Sequence, residues 1–171
     1  MKRISFKDSQ GLNLTYEVLN GHKTMTRRNT RMYEVGDVVA IQQAYKDIAK
    51  SDGTHGYYKI GEHHYPQYVL SGEGWSNKMF VKADLMPHHI RITALRQERL
   101  QDISDDDCMR EGITWAVPSD KRYQYADYKK ETMVSFKTPR EAFASLIDKV
   151  SGRRTWKSNP IVWVYEFELI D

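Results

Sequence analysis

The sequence predicts an α+β fold in which a small mixed or closed β-sheet is flanked by helices. Three observations predict it. An alternating apolar strand closes the chain, two well-capped helices precede it, and strands and helices are interspersed without a regular βαβ rhythm. The 171 residues suit one domain, and a chain of that length can bury a single core. Hydrophobic residues make up 40% and aromatics 12%, a composition that argues against intrinsic disorder.

Leu12, Tyr16 and Leu19 recur at helical spacing over 12–20, and Gly21 follows as a natural C-cap. Val35-Gly36-Asp37 is a turn signal, and Val38–Ile41 then reads as a short buried strand. Residues 46–80 carry Gly, Ser, His and Tyr without a clean period, a long excursion with a hairpin expected around Tyr57–Ile60 and Tyr65–Leu70. Ile90–Glu98 alternates loosely and reads as a strand with Ile90 and Ile92 on one face. Ser104 caps a helix whose first turn holds Asp105, Asp106 and Asp107, where the helix dipole favours them, and which ends at Gly112. Residues 114–137 form a second unpatterned excursion. Thr138-Pro139-Arg140-Glu141 combines an N-cap, Pro at N1 and a capping-box Glu, and the helix runs through Phe143, Leu146, Ile147 and Val150 to Gly152. Pro160 opens the final strand, where Ile161, Trp163, Tyr165, Phe167 and Leu169 form the expected core face. The chain therefore reads as one domain, 1–171, with insertions at about 46–80 and 114–137.

Lys and Arg outnumber Asp and Glu by 26 to 23, a net +3, so any electrostatic case must come from local clusters. One cysteine excludes an internal disulfide framework and suits a reducing cytoplasm, the expected location. The sequence holds no uncharged run near the ~18 residues of a membrane span, and Met1–Phe6 is flanked by charge rather than forming a signal-peptide apolar region. No membrane partner is expected.

The densest chemical signal is Gly21-His22-Lys23-Thr24-Met25-Thr26-Arg27-Arg28-Asn29-Thr30-Arg31, with four Lys/Arg and no acid between Asn20 and Tyr33. Arg supplies planar donors suited to phosphate or carboxylate, and a Lys held near other cations has a depressed pKa. The other reading is a solvated basic loop. The opposite cluster spans Leu100–Gly112, with Asp102, Asp105, Asp106, Asp107 and Glu111 against Arg110 alone. Asp107 and Glu111 lie one helical turn apart and could share acid–base work, or simply form a capped, solvated helix start. Glu111 stands out because it falls at the helix C-terminal end, where the dipole disfavours a carboxylate and a nearby cation is invited. The six His residues make no chelating pattern, and no P-loop or dinucleotide fingerprint occurs, so no metal and no cofactor are expected. Cys108 reads as a small buried hydrophobe rather than a nucleophile. Trp75, Trp115 and Trp156 lie near loops and either pack there or stack on bases.

Gly21-x-Lys23-x-x-Thr26-x-Arg28, followed by Tyr33-x-x-Gly36-Asp37-Val38, resembles the ASCH domain family. Thr26 stands where the family signature most often has Glu. The stretch from Leu100-x-Asp102-Ile103-Ser104 to Glu111-Gly112 and the closing Trp163–Leu169 strand fall in family order. Lys23-Thr24-Met25-Thr26-Arg27-Arg28 and Asn159-Pro160-Ile161-Val162-Trp163-Val164 resemble ASCH-like proteins of phages and prophages. The resemblance covers about 15–45, 86–113 and 138–169 and implies a small PUA-like β-barrel.

It also implies binding of RNA or a modified nucleoside, with Gly21, Thr24, Arg27, Arg28 and Arg31 as binding residues of a basic loop beside a barrel cleft. One branch of the family resembles an amidohydrolase acting on N4-acetylcytidine through a Lys-x-x-Thr pair and a helix-borne Glu. By position these fall on Lys23, Thr26 and Glu111. The two expectations are thus a nucleobase- or RNA-binding domain and a small amidohydrolase, with a ribonuclease the weaker third. Oligomeric state is not set by the sequence.

Overall fold

A computed structural model describes residues 1–9, 11–117, 121–125 and 134–171. In chain order the elements are β1 (Lys2–Ile4), α1 (Leu14–Leu19), β2 (Met25–Arg28), β3 (Val38–Ile41), α2 (Tyr45–Ile48), β4 (Lys50–Ser51), β5 (Tyr57–Ile60), β6 (His63–Pro66) and α3 (Gln67–Leu70). They continue with β7 (His89–Arg99), α4 (Asp105–Arg110), β8 (Ile113–Val117), β9 (Arg122–Tyr125), α5 (Pro139–Ser151), α6 (Thr155–Ser158) and β10 (Ile161–Leu169). The fold is α+β. Its main sheet is mixed and runs β1-β3-β7-β10-β2, with β1 parallel to β3 and β10 antiparallel to β2. The expected closed barrel is not seen: among the described residues no ladder joins the end strands β1 and β2. These two have three and four residues, and short edge strands are a usual way to end a sheet. Among the described residues no helix is long and apolar enough to cross a membrane.

Contacts divide the chain into two compact units. The first comprises Met1–Phe6, Val38–Ile90 and Ile170–Asp171. Its core holds Ile4, Phe6, Val39, Ala40, Ile41, Ile60, Val81, Met86 and Ile90. β3 contributes three consecutive buried residues, as a strand covered on both faces must. The hairpin expected from Tyr57 forms between β5 and β6, but its second arm starts at His63 and ends at Pro66. The two-residue turn needs Gly61, whose φ is +57°, and Gln67–Leu70 winds into α3 instead of extending the strand. Pro66 accounts for that switch, because its fixed φ suits a helix start and ends the ladder.

The second unit comprises Lys7–Asp37 and Arg91–Leu169. In α5, Thr138 Oγ1 accepts from Glu141 N at 3.1 Å, and Ala142, Phe143, Leu146 and Ile147 form its buried stripe. Glu141 Oε2 accepts from Lys137 N at 3.0 Å, one residue earlier than a capping box would place it. The face assignment of β10 needs correction. Tyr165 and Phe167 are buried as expected, but so are Val162 and Val164, while Ile161 and Leu169 are exposed and Trp163 is half-buried. The middle of β10 lies between β7 and β2 and is covered on both faces, so simple alternation fails there. The excursion expected over 114–137 includes an antiparallel pair, β8 with β9, in which Thr114 opposes Gln124. Residues 118–120 and 126–133 of that excursion lie outside the described residues.

Candidate functional site

Helix α4 brings Glu111 to the site. Ser104 Oγ caps it by accepting from Asp107 N at 3.1 Å, and Glu111 is its C-cap, donating its own N–H to Asp107 O at 2.9 Å. The chain must then turn sharply, and Gly112 does so at a φ of +104°. A side chain there would be strained by the backbone alone, with the Lys23 stem packed against the space it would enter.

Lys23 arrives from the other direction. Helix α1 ends at Leu19 with Asn20 as its C-cap, Gly21 takes a φ of +73°, and the N–H groups of His22 and Lys23 both donate to Glu17 O. This fixes the approach to β2 and directs Lys23 inward. Its Nζ donates to Glu111 Oε2 at 2.5 Å and to Glu111 O at 2.9 Å. Both side chains are buried, at 3% and 5% exposure. Burial pulls the Lys23 pKa below its ordinary value, Glu111 opposes that shift, and Arg28 and Arg27 reinforce it. The dipole-disfavoured carboxylate therefore has its cation, 88 residues away in sequence.

Glu111 also belongs to a wider ionic network. Arg27 NH1 donates to Glu111 Oε1 at 3.0 Å, and its Nε and NH2 donate to Glu98 Oε1 at 3.0 and 2.6 Å. Asp107 Oδ2 accepts from Arg27 NH2 at 3.1 Å and from Arg96 NH2 at 2.5 Å. Arg96 and Arg110 each donate to Glu166, at 2.6 and 2.8 Å. Lys23, Arg27, Arg96 and Arg110 are thus set against Glu98, Asp107, Glu111 and Glu166. Charges balance, which is how such a network tolerates burial. Burial alone would lower the Arg27 pKa, but Glu111 and Glu98 outweigh it and the net shift is upward.

The stretch expected as a basic loop holds the four-residue strand β2 at its centre, and three of its residues are used differently from expectation. Arg27 points inward and its guanidinium is consumed by carboxylates, so it offers no outward phosphate contact. Thr24 ties the end of α4 to the sheet: its N–H donates to Arg110 O at 2.9 Å, and its O accepts from Phe167 N at 3.0 Å. Gly21 serves the turn. Arg31 is the exposed member, paired with Glu34 at 2.5 Å and stacked over the Trp163 ring at 5.1 Å. Asp107 is a network partner rather than a free acid beside Glu111.

Thr26 and Arg28 lie on the other face of β2 from Arg27, opposite Tyr165 and Trp163 in the ladder. Thr26 is buried, and its hydroxyl makes no hydrogen bond with another described residue; in particular it is not bonded to Lys23 or Glu111. Arg28 is half-buried, and burial lowers its pKa while Tyr33 and Glu111 oppose the shift. Tyr33 packs edge-on against Tyr165 at 5.3 Å, and Tyr165 OH accepts from Met32 N at 2.8 Å, so the segment after β2 is pinned to this face. Cys108 is fully buried and burial pushes its thiol up to about 12, which fits the expected role as a core residue. Among the described residues no group of three or more His, Cys, Asp or Glu could hold a metal ion. Sequence reading missed Arg96, Glu98 and Glu166; the available signal was Arg96 and Glu98 at i, i+2 on one face of β7.

No family model matches the chain, and no curated protein matches it. Among solved structures it is similar to an ASCH domain from Lactobacillus crispatus JV V101. The two are 10% identical over 90% of this chain and 68% of that one, with a TM-score of 0.36. A likeness that distant assigns neither fold nor function.

Proposed function

We propose that the second unit carries a small nucleobase site that removes an acyl group from the exocyclic nitrogen of cytidine, using Lys23, Thr26 and Glu111. The observation that carries this reading is the buried Lys23–Glu111 contact, with its burial-lowered lysine, three residues before a threonine hydroxyl that has no partner among the described residues. The resemblance of Gly21-x-Lys23-x-x-Thr26-x-Arg28 to the amidohydrolase branch supports the same reading.

The chemistry balances with these residues alone. Lys23, once its ammonium has passed a proton to Glu111, takes the Thr26 hydroxyl proton as Oγ attacks the acyl carbon, on the way to an ester bond. The tetrahedral intermediate breaks its carbon–nitrogen bond, and the leaving amine takes a proton returned through Lys23 and Glu111. Water then hydrolyses the acyl–threonine ester, releasing the carboxylic acid. Arg28, on the Thr26 face of β2, stabilises the oxyanion. The missing Thr26–Lys23 hydrogen bond is compatible with this scheme, because catalytic hydrogen bonds often tighten only when substrate is bound.

Incubation with N4-acetylcytidine tests the proposal. Cytidine and acetate should appear with the native chain and disappear in Thr26→Ala, whose fold is retained. Absence of turnover across a panel of acylated cytidines would overturn it.

A second reading, binding of RNA or a nucleobase without chemistry, is favoured by the exposed Arg31 over Trp163. It predicts salt-dependent affinity for short RNA, each phosphate contact adding about 0.7 to the slope of log affinity against log salt. Arg31→Ala should flatten that slope, and Thr26→Ala should leave it unchanged.

A further inference from the structure

The first unit contains a cleft separate from Lys23, Thr26 and Glu111. Its cavity measures about 460 Å³ and is walled by Tyr45, Tyr65, Trp75 and His63, with Lys82 and Asp84 on the same lining. Trp75 forms the centre of an aromatic group, 4.8 Å from Tyr65 and 5.4 Å from Tyr45. A tilted, edge-on arrangement of this kind leaves ring faces for a planar guest.

The position of the two charged residues follows from packing. Val81 and Ala83 are buried with Ala40 and Met86, so the intervening and following residues, Lys82 and Asp84, are turned outward. Tyr45 OH accepts from Lys82 N at 2.8 Å, which holds this segment against the aromatic wall. Lys82 and Asp84 line one cleft, yet among the described residues neither side chain has a hydrogen-bond or ion-pair partner. Opposite charges that share a cleft without pairing present a donor and an acceptor to a guest.

We propose that this cleft binds a nucleobase carrying both an amino group and a carbonyl, cytosine or guanine, stacked against Trp75. Asp84 accepts from the amino group, as carboxylates do from the cytosine amine, and Lys82 donates to the carbonyl. Adenine lacks the carbonyl and uracil lacks the amine, so each leaves one charged group unmatched. The volume falls within the range of small-molecule pockets and admits a nucleoside. The assignment uses no residue of the Lys23–Thr26–Glu111 site and stands or falls separately from it.

The test is titration of the full chain with cytidine, guanosine, adenosine and uridine, followed by protein NMR chemical shifts. Cytidine and guanosine should bind more tightly than adenosine and uridine. Trp75→Ala should weaken binding of the preferred nucleosides roughly 5- to 150-fold, the range for loss of one stacking partner. Asp84→Ala alters an exposed residue and should abolish the preference over uridine, keep the preference over adenosine that rests on Lys82, and leave the fold intact. The shifts should move at Trp75 and Tyr65 of this cleft rather than at Thr26, which separates it from the site of the second unit. Equal affinity for all four nucleosides, no binding, or unchanged discrimination in Asp84→Ala would overturn the proposal.

Discussion

Replacing Glu111 with Gln removes the charge that compensates Lys23 while keeping the shape of the side chain. The buried ammonium then retains only the Glu111 carbonyl as acceptor, and Arg27 NH1 faces a neutral oxygen in place of a carboxylate. Breaking a buried pair by removing one partner costs about 3–5 kcal/mol. The lower end applies here, about 3 kcal/mol, because Arg27 keeps Glu98 and Asp107 and Lys23 keeps its carbonyl bond. For a chain of this size each kcal/mol lowers Tm by about 2–4 °C, so the expected drop is about 6–12 °C. Thermal and urea unfolding measure it directly. Lys23→Met in the same background should restore part of the loss, giving a coupling of about 1–3 kcal/mol between the two positions. A loss under about 1 kcal/mol, with additive effects in the double variant, would refute the argument from burial.

The same pair sets a pH dependence. The folded Lys23 pKa lies below its ordinary value of 10.5, because burial disfavours the charged form. As pH rises through the folded pKa, the folded chain loses this proton while the unfolded chain holds it until about 10.4. Stability should therefore rise across that window, and Lys23→Met should lack the rise.

Glu166 acts in the opposite sense: hydrogen bonds from Arg110 and Arg96 hold its carboxyl below the ordinary range. Its contribution is complete above the unfolded value of about 4.3 and is lost as pH falls through the folded value, so Glu166→Gln should flatten the acid limb of a stability–pH curve. Phe143→Ala should cost about 3–5 kcal/mol in urea unfolding, since Phe143 is fully buried, whereas half-buried Trp163→Ala should cost less. Equal losses would return Trp163 to the core.

Helices α4 and α5 were legible because their caps are local: Ser104 with Asp107, and Thr138 with Glu141, need only three residues of sequence. Strand β10 was legible as a strand, but its faces were not, because coverage on both sides depends on what β7 and β2 bring to it. Strand β2 was the least legible. Met25-Thr26-Arg27-Arg28 carries charges that read as solvated, and only the distant Glu98, Asp107 and Glu111 allow Arg27 to be buried. The approach of Lys23 to Glu111 was foreshadowed by two local features, a basic stretch without acids and a carboxylate at the wrong end of a helix. The remaining partners, Arg96, Glu98 and Glu166, join through sheet pairing, which sequence spacing does not encode. Lys82 and Asp84, unpaired among the described residues, were likewise invisible, because the aromatic wall beside them is assembled from separate segments of the first unit.

In the proposed reaction Thr26 is the group that takes the acyl chain. Rapid acid quench of the native chain turning over N4-acetylcytidine, followed by proteolysis and mass spectrometry, reads this directly. One acetyl group should appear on the peptide containing Thr26, absent in Thr26→Ala and more abundant when deacylation is slowed. Turnover with no acetyl on that peptide, or full turnover by Thr26→Ala, would contradict it.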